Sequence, residues 1–202
     1  MDETPFANLA ALVINLQAVL RPLLTVPFAF FGHSTGACIA LEAARMLRTE
    51  DGRSAVHLFV SGRAAPGPAV GERSVQSLSD DELLDLLVRH GGTPAAVMER
   101  AELMAAVLPT LRADLALAES RRLAAGGRLS CPVTVFGGAD DAIDKAALQA
   151  WSDFTTGAFR VRMFPGGHFY LSEADEALVG EIVEAVRRPE GFLARQPTGV
   201  SA

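Results

Sequence analysis

Ser34 stands in the pattern Gly32-x-Ser34-x-Gly36, inside "VPFAFFGHSTGACIALEAARML". A serine hydroxyl attacks a carbonyl only when a base removes its proton, so the chemistry requires a histidine and a carboxylate that orients it. The two glycines belong to a sharp turn in which a strand delivers the serine and a helix leaves at once. Small residues are needed there because strand and helix nearly collide. Both flanks match: an apolar run precedes Gly32 and a helical pattern follows Ser34. The N-terminus of that helix directs backbone N–H groups toward developing negative charge, and the Thr35 N–H is the expected oxyanion donor.

In a sheet carrying such an elbow, the acid and the histidine follow later strands, in that order. "GGADDAID" supplies Asp140 and Asp141, and "FPGGHFYL" supplies His168 behind two glycines. Counting from Gly138 as the strand-ending turn favours Asp141; Asp140 fits only if the turn starts at Gly137. The spare aspartate is expected in solvent or capping the helix near Lys145, with Asp144 as a weaker capping candidate. The other histidines fit less well as the base. His33 is tied to the elbow turn, His57 opens a strand at the sheet's far end, and His90 closes a helix. Each is expected to be structural or to face solvent.

Four segments read as buried parallel strands able to position these groups: "PFAFFG" (27–32), "HLFVSG" (57–62), "VTVFGG" (133–138) and "FRVRMFPG" (159–166). Helical patterns lie between them, as parallel crossovers require. The expected fold is an α/β sheet with helices on both faces. Ahead of the first strand, Leu9, Val13, Leu16, Leu20 and Leu23 step by four and three, the mark of one helix face.

The connection between the second and third strands is too long for a simple crossover and carries helix signals of its own. Ser79 and Glu82 form a capping box, with Gly91–Gly92 as the stop. Thr93 and Pro94 open a second helical run. Val97, Ala101, Met104, Leu108, Leu111 and Leu115 make its apolar stripe, with a bend expected at Pro109. An insertion over about residues 66–128 is therefore expected to form a helical lid, set against the plainer alternative of an extra helical layer. The one domain spans residues 1–188, and residues 189–202 have no periodicity and are expected to be disordered.

Composition narrows the function classes. Half the residues are hydrophobic and 21% charged, as in a globular chain, and the net charge of −6 disfavours nucleic-acid binding. Cys38 and Cys131 are expected as buried free thiols in a reducing cytoplasm. No metal-ligand spacing appears among the four histidines, so neither a metal nor a cofactor is expected. The apolar stretch near the start follows Asp2 and Glu3 rather than basic residues, unlike a signal peptide, and no run is long enough to span a membrane. A cytoplasmic location is expected.

From "ANLAALVINLQAVLRPLLTVPFAFFGHSTGA" through "SLSDDELLDLLVRHGGTP" and "LMAAVLPTLRADLALAES" to "CPVTVFGGADD" and "FRVRMFPGGHFYL", the chain resembles the type II thioesterases that accompany polyketide and non-ribosomal peptide synthetases. The resemblance covers residues 7 to 188 and implies an α/β-hydrolase fold with a helical lid. It implies hydrolysis of acyl or aminoacyl groups from phosphopantetheine on acyl or peptidyl carrier proteins. Its triad falls on Ser34, Asp141 and His168. Thr35 stands where the family commonly has methionine, and Ala142 where proline is frequent. Family members also begin with several strands and a "PHAGG"-like loop, and this chain starts after them. The resemblance therefore implies missing N-terminal strands, an exposed edge beside the nucleophile strand, and one oxyanion donor where two are usual. Two further readings stay open on the residues: a serine esterase acting on small oxygen esters, and an inactive remnant or module that docks carrier protein without turnover.

Overall fold

The computed structural model describes residues 6, 8–67, 74–90, 100–119 and 126–187. Among these residues four strands, β1 (Ala29–His33), β2 (His57–Ser61), β3 (Val133–Gly138) and β4 (Phe159–Phe164), form one sheet in the order β1-β2-β3-β4. All three pairings are parallel, with Phe31 opposite Phe59, Val60 opposite Val135, and Phe136 opposite Arg162. The α-helices among the described residues are α1 (Leu9–Leu20), α2 (Thr35–Asp51), α3 (Asp80–His90), α4 (Ala101–Ala118), α5 (Lys145–Gln149) and α6 (Asp175–Arg187).

Strand alternation divides the core in two. Leu58, Val60, Val133 and Val135 face α1 and α2, where Leu9, Val13, Cys38, Leu41 and Ala44 close over them. Phe59 and Phe136 face the other way and pack with Phe164, Tyr170 and Leu178 of α6. Only the two middle strands are buried along their whole length. β1 and β4 are partly exposed, Phe31 at 42% and Met163 at 36%, which corrects the expectation of four buried strands. The reason is position: among the described residues each outer strand pairs on one side only.

Asn8 caps α1 through its side chain, accepting from Ala11 N at 2.9 Å. Leu9 and Val13 are buried as expected, but the helix ends at Leu20, so Leu23 falls in the following turn and is 67% exposed. Gln17 occupies the buried place that follows Val13 one turn on. Cys38 and Cys131 are buried thiols that form no disulfide, and burial raises both thiol pKa values.

The long β2–β3 connection builds a small core of its own from Val75, Leu83 and Leu108, with Leu78, Leu86, Leu111 and Leu115 packed around it. The capping box forms: Ser79 N donates to Glu82 Oε2 at 2.7 Å and Glu82 N to Ser79 Oγ at 3.2 Å. Arg112 on α4 donates to the carbonyls of Val75 (2.7 Å) and Leu78 (2.6 Å) and to Asp80 Oδ1 (2.7 Å). α4 runs through Pro109 as one helix. The expected stop at Gly91–Gly92, the start at Thr93–Pro94, Val97 and the tail from 189 onward lie outside the described residues.

Candidate active site

β1 ends on His33, and the chain turns at Ser34 into α2. Ser34 has φ 52° and ψ −120°, the one non-glycine residue with positive φ among those described. Such a conformation costs on the order of 1–3 kcal/mol and persists only where its surroundings enforce it. Here Ser34 N donates to Ser61 O at 2.8 Å, and Ser34 O accepts from Ala37 N at 3.0 Å. Serine at a helix N-cap ordinarily accepts a backbone hydrogen bond through its hydroxyl. Ser34 makes no such side-chain cap.

The two glycines of the motif do different work. A Cβ on Gly32 would fall onto the Gly36 carbonyl and 2.7 Å from Ala37 N. A Cβ on Gly36 would meet nothing within 4 Å. The expectation that both keep side chains out of a collision is thus corrected. Gly32 is the constrained position, because its Cα lies against the first turn of α2. Thr35 is the first residue of that helix, so its N–H has no carbonyl four residues back to bond within the helix.

Asp141 and His168 meet beyond the ends of β3 and β4. Asp141 Oδ2 is 2.9 Å from His168 Nδ1, and the two side chains are 3% and 5% exposed. Backbone contacts bring their loops together: Ala139 N donates to Phe164 O and Asp140 N to Gly166 O, at 2.8 and 2.9 Å. A Cβ on Gly138 would strike the carbonyl oxygens of Gly166 and Gly167, so this crossing needs bare backbone on the β3 side. The other carboxylate oxygen of Asp141 accepts from Ile143 N at 3.3 Å, which fixes the side chain's direction. Asp140 is exposed and joins the crossing through its backbone N–H. The cap of α5 is Asp144, accepting from Ala147 N at 2.7 Å, so the weaker of the expected capping candidates holds that place.

His33 is held within the fold, one of the two places expected for it, and lies next to His168. Strand alternation puts its ring on the sheet face of Phe31 and Phe59, level with Ser61 on the paired strand, and its Nδ1 lies 2.8 Å from Ser61 Oγ. Its ring centroid is 5.0 Å from that of His168. The contact places the C-terminal end of β1, and with it the Ser34 turn, beside the His168 loop. Burial chiefly, and the neighbouring His168, lower the His33 pKa to about 4 despite the opposing pull of Asp141. The one signal in the sequence was its place at a strand's C-terminal end, where site residues gather.

His57 sits at the other end of the sheet, as expected. It is 2% exposed, bonded to Thr134 Oγ1 at 2.9 Å and stacked on Phe59 at 4.1 Å. Burial lowers its pKa to about 4. His90 is the last residue of α3. Among the described residues no cluster of three His, Cys, Asp or Glu could hold a metal ion, and no helix is long and apolar enough to cross a membrane.

A buried carboxylate–imidazole pair beside a strained, uncapped serine at a helix N-terminus is an arrangement suited to acyl transfer. Comparison with known proteins leads to the same chemistry. Gramicidin S biosynthesis protein GrsT of Aneurinibacillus migulanus is 37% identical over 186 residues, which make up 92% of this chain and 73% of that one. The type II thioesterase BorB from the borrelidin biosynthetic cluster superposes with a TM-score of 0.78 at 39% identity, over 90% of this chain and 74% of BorB. The RedJ thioesterase from the prodiginine pathway of Streptomyces coelicolor gives 0.78 at 35%, over 89% of this chain and 72% of RedJ. These neighbours carry the α/β-hydrolase type of fold seen here. The thioesterase domain model matches residues 1–188, a span that contains every described residue, and the protein belongs to the thioesterase family.

Proposed function

We propose that this chain is a serine thioesterase that hydrolyses acyl or aminoacyl thioesters from the phosphopantetheine arm of acyl or peptidyl carrier proteins in polyketide or non-ribosomal peptide synthesis. The observation that carries the reading is the Asp141–His168 pair at 2.9 Å, buried beside the turn that holds Ser34. The relatives' roles in gramicidin S, borrelidin and prodiginine biosynthesis support the substrate class.

In this reading Asp141 accepts the Nδ1–H of His168, leaving Nε2 as the basic nitrogen. His168 takes the Ser34 proton as Oγ adds to the thioester carbonyl, and the Thr35 N–H faces the oxyanion. The tetrahedral intermediate collapses with cleavage of the C–S bond. The pantetheine sulfur leaves as thiol with the proton from His168, and the acyl group stays on Ser34. Water, deprotonated by His168, then attacks the ester, and the acid departs as Ser34 regains its proton. His33 stays neutral through the cycle, so an imidazolium at His168 meets no second positive ring. The segment at about 66–128, with its separate apolar cluster, acts as the lid over the acyl group. The protein works in the cytoplasm without metal, cofactor, nucleic acid or membrane.

The test is acyl release from a carrier protein charged with an acyl-phosphopantetheine, compared with hydrolysis of a simple oxygen ester. Release from the carrier that disappears in Ser34→Ala supports the proposal. Absence of release, or equal release by the variant, contradicts it, and a strong preference for the oxygen ester points instead to an esterase.

A further inference from the structure

The triad histidine has a second neighbour besides Asp141. The His33 ring packs 5.0 Å from it, centroid to centroid, and is itself held by a chain of hydroxyls. His33 Nδ1 is 2.8 Å from Ser61 Oγ, and Ser61 Oγ is 2.5 Å from the Tyr170 hydroxyl. The other ring nitrogen, Nε2, is buried with no hydrogen-bond partner among the described residues, so Ser61 is the polar hold on the ring orientation. Ser61 and Tyr170 are 0% and 1% exposed. Tyr170 lies two residues after His168, and its ring stacks on Phe164 at 5.5 Å with planes 8° apart. Phe164 leads through Phe136 to Phe59, so the hydroxyl chain is rooted in the sheet's aromatic core.

Gly62 confirms how tightly the two imidazoles are packed. With φ +56°, it places its backbone against both rings: a Cβ there would stand 3.0 Å from His33 Nδ1 and 3.3 Å from His168 Cε1. The groups around His33 are therefore Ser61 and Gly62 from β2 and its turn, and His168, Phe169 and Tyr170 from the segment after β4. Asp141 acts on it electrostatically.

We infer that Tyr170, Ser61 and His33 are positioning residues for His168: the hydroxyl chain fixes the His33 ring, and that ring, with the Gly62 backbone, holds the triad imidazole in register with Asp141. The inference rests on the proposed roles of Asp141 and His168. It goes beyond them in giving the GHS histidine and a tyrosine two places past the base a joint task.

The variants are Tyr170→Phe and Ser61→Ala in the full chain. Tyr170→Phe keeps the ring and removes one oxygen. Two readouts separate positioning from bulk stability. The first is the low-field proton resonance of a histidine Nδ1–H bonded to a carboxylate, assigned to His168 by its loss in Asp141→Ala. The second is the rate of labelling by a serine-directed phosphonate across pH. In the parent the resonance is present. In each variant its exchange with solvent quickens and labelling slows about three- to tenfold, the effect of one neutral hydrogen bond. The double variant is no slower than the worse single one, because the residues act as one chain.

A parent without the resonance overturns the inference. So do variants that melt at lower temperature yet keep parental exchange and labelling rates. A parent that resists the phosphonate but whose resonance is lost in both variants supports the positioning chain while removing the thioesterase reading.

Discussion

A side chain on Gly32 would run into the carbonyl of Gly36, whereas a side chain on Gly36 would find open space. The two glycines of one motif therefore respond oppositely to the same substitution. Gly32→Ala forces β1 and α2 apart and is expected to abolish soluble folded protein or labelling of Ser34. Gly36→Ala, in the first turn of α2, is expected to raise stability by up to about 1 kcal/mol through helix propensity. Thermal melting of both variants checks this, and equal losses would contradict it.

The three aspartates after β3 separate just as clearly. Asp141→Asn is expected to lower turnover by about 10⁴-fold, because the amide holds His168 in the wrong tautomer. Asp140→Ala, exposed and linked through its backbone, should leave turnover unchanged. Asp144→Ala removes the Ala147 N bond of the α5 cap and should cost about 1 kcal/mol of stability with little effect on rate. Steady-state kinetics and denaturant midpoints on the three proteins distinguish these outcomes.

Much of this arrangement was legible in the residues. The order of Ser34, Asp141 and His168 along the chain, the apolar strand segments and the Ser79–Glu82 box each rest on local patterns that tertiary packing did not override. What stayed hidden depends on contacts between distant segments. That Leu23 is exposed follows from where α1 stops, which the four–three spacing cannot reveal. Phe31 is exposed because, among the described residues, β1 pairs only with β2, a matter of sheet order. The role of His33 depends on Ser61 and Tyr170, whose proximity exists only once β1, β2 and the segment after β4 are assembled.

Stability should fall with acid before the carboxylates titrate. His33 and His57 have pKa values lowered to about 4 in the folded protein, from an ordinary 6.5. Between those values the unfolded chain binds more protons, so stability is full above about pH 6.5 and is lost progressively as pH falls toward 4. For the buried His57 alone the loss is on the order of 2 kcal/mol at pH 5. Denaturant midpoints from pH 7.5 to 4.5 should show this slope, and His57→Gln should flatten it. A parent with a flat profile would contradict the argument.

Arg112 ties the turn before α3 to α4 through two carbonyls and Asp80. Arg112→Met should leave those carbonyls unmatched and destabilise the 74–90 segment by on the order of 2 kcal/mol. Amide exchange in that segment should rise while β2 and β3 stay protected. If the segment closes over the acyl group, KM for long-chain carrier thioesters should also rise more than for acetyl.

Phosphonate labelling followed by peptide mass mapping reads directly whether Ser34 is an activated nucleophile served by Asp141 and His168. One adduct is expected, on Ser34, absent in Ser34→Ala and slowed by orders of magnitude in His168→Ala. No adduct on the folded parent chain, or one whose site or rate is indifferent to His168, would contradict it.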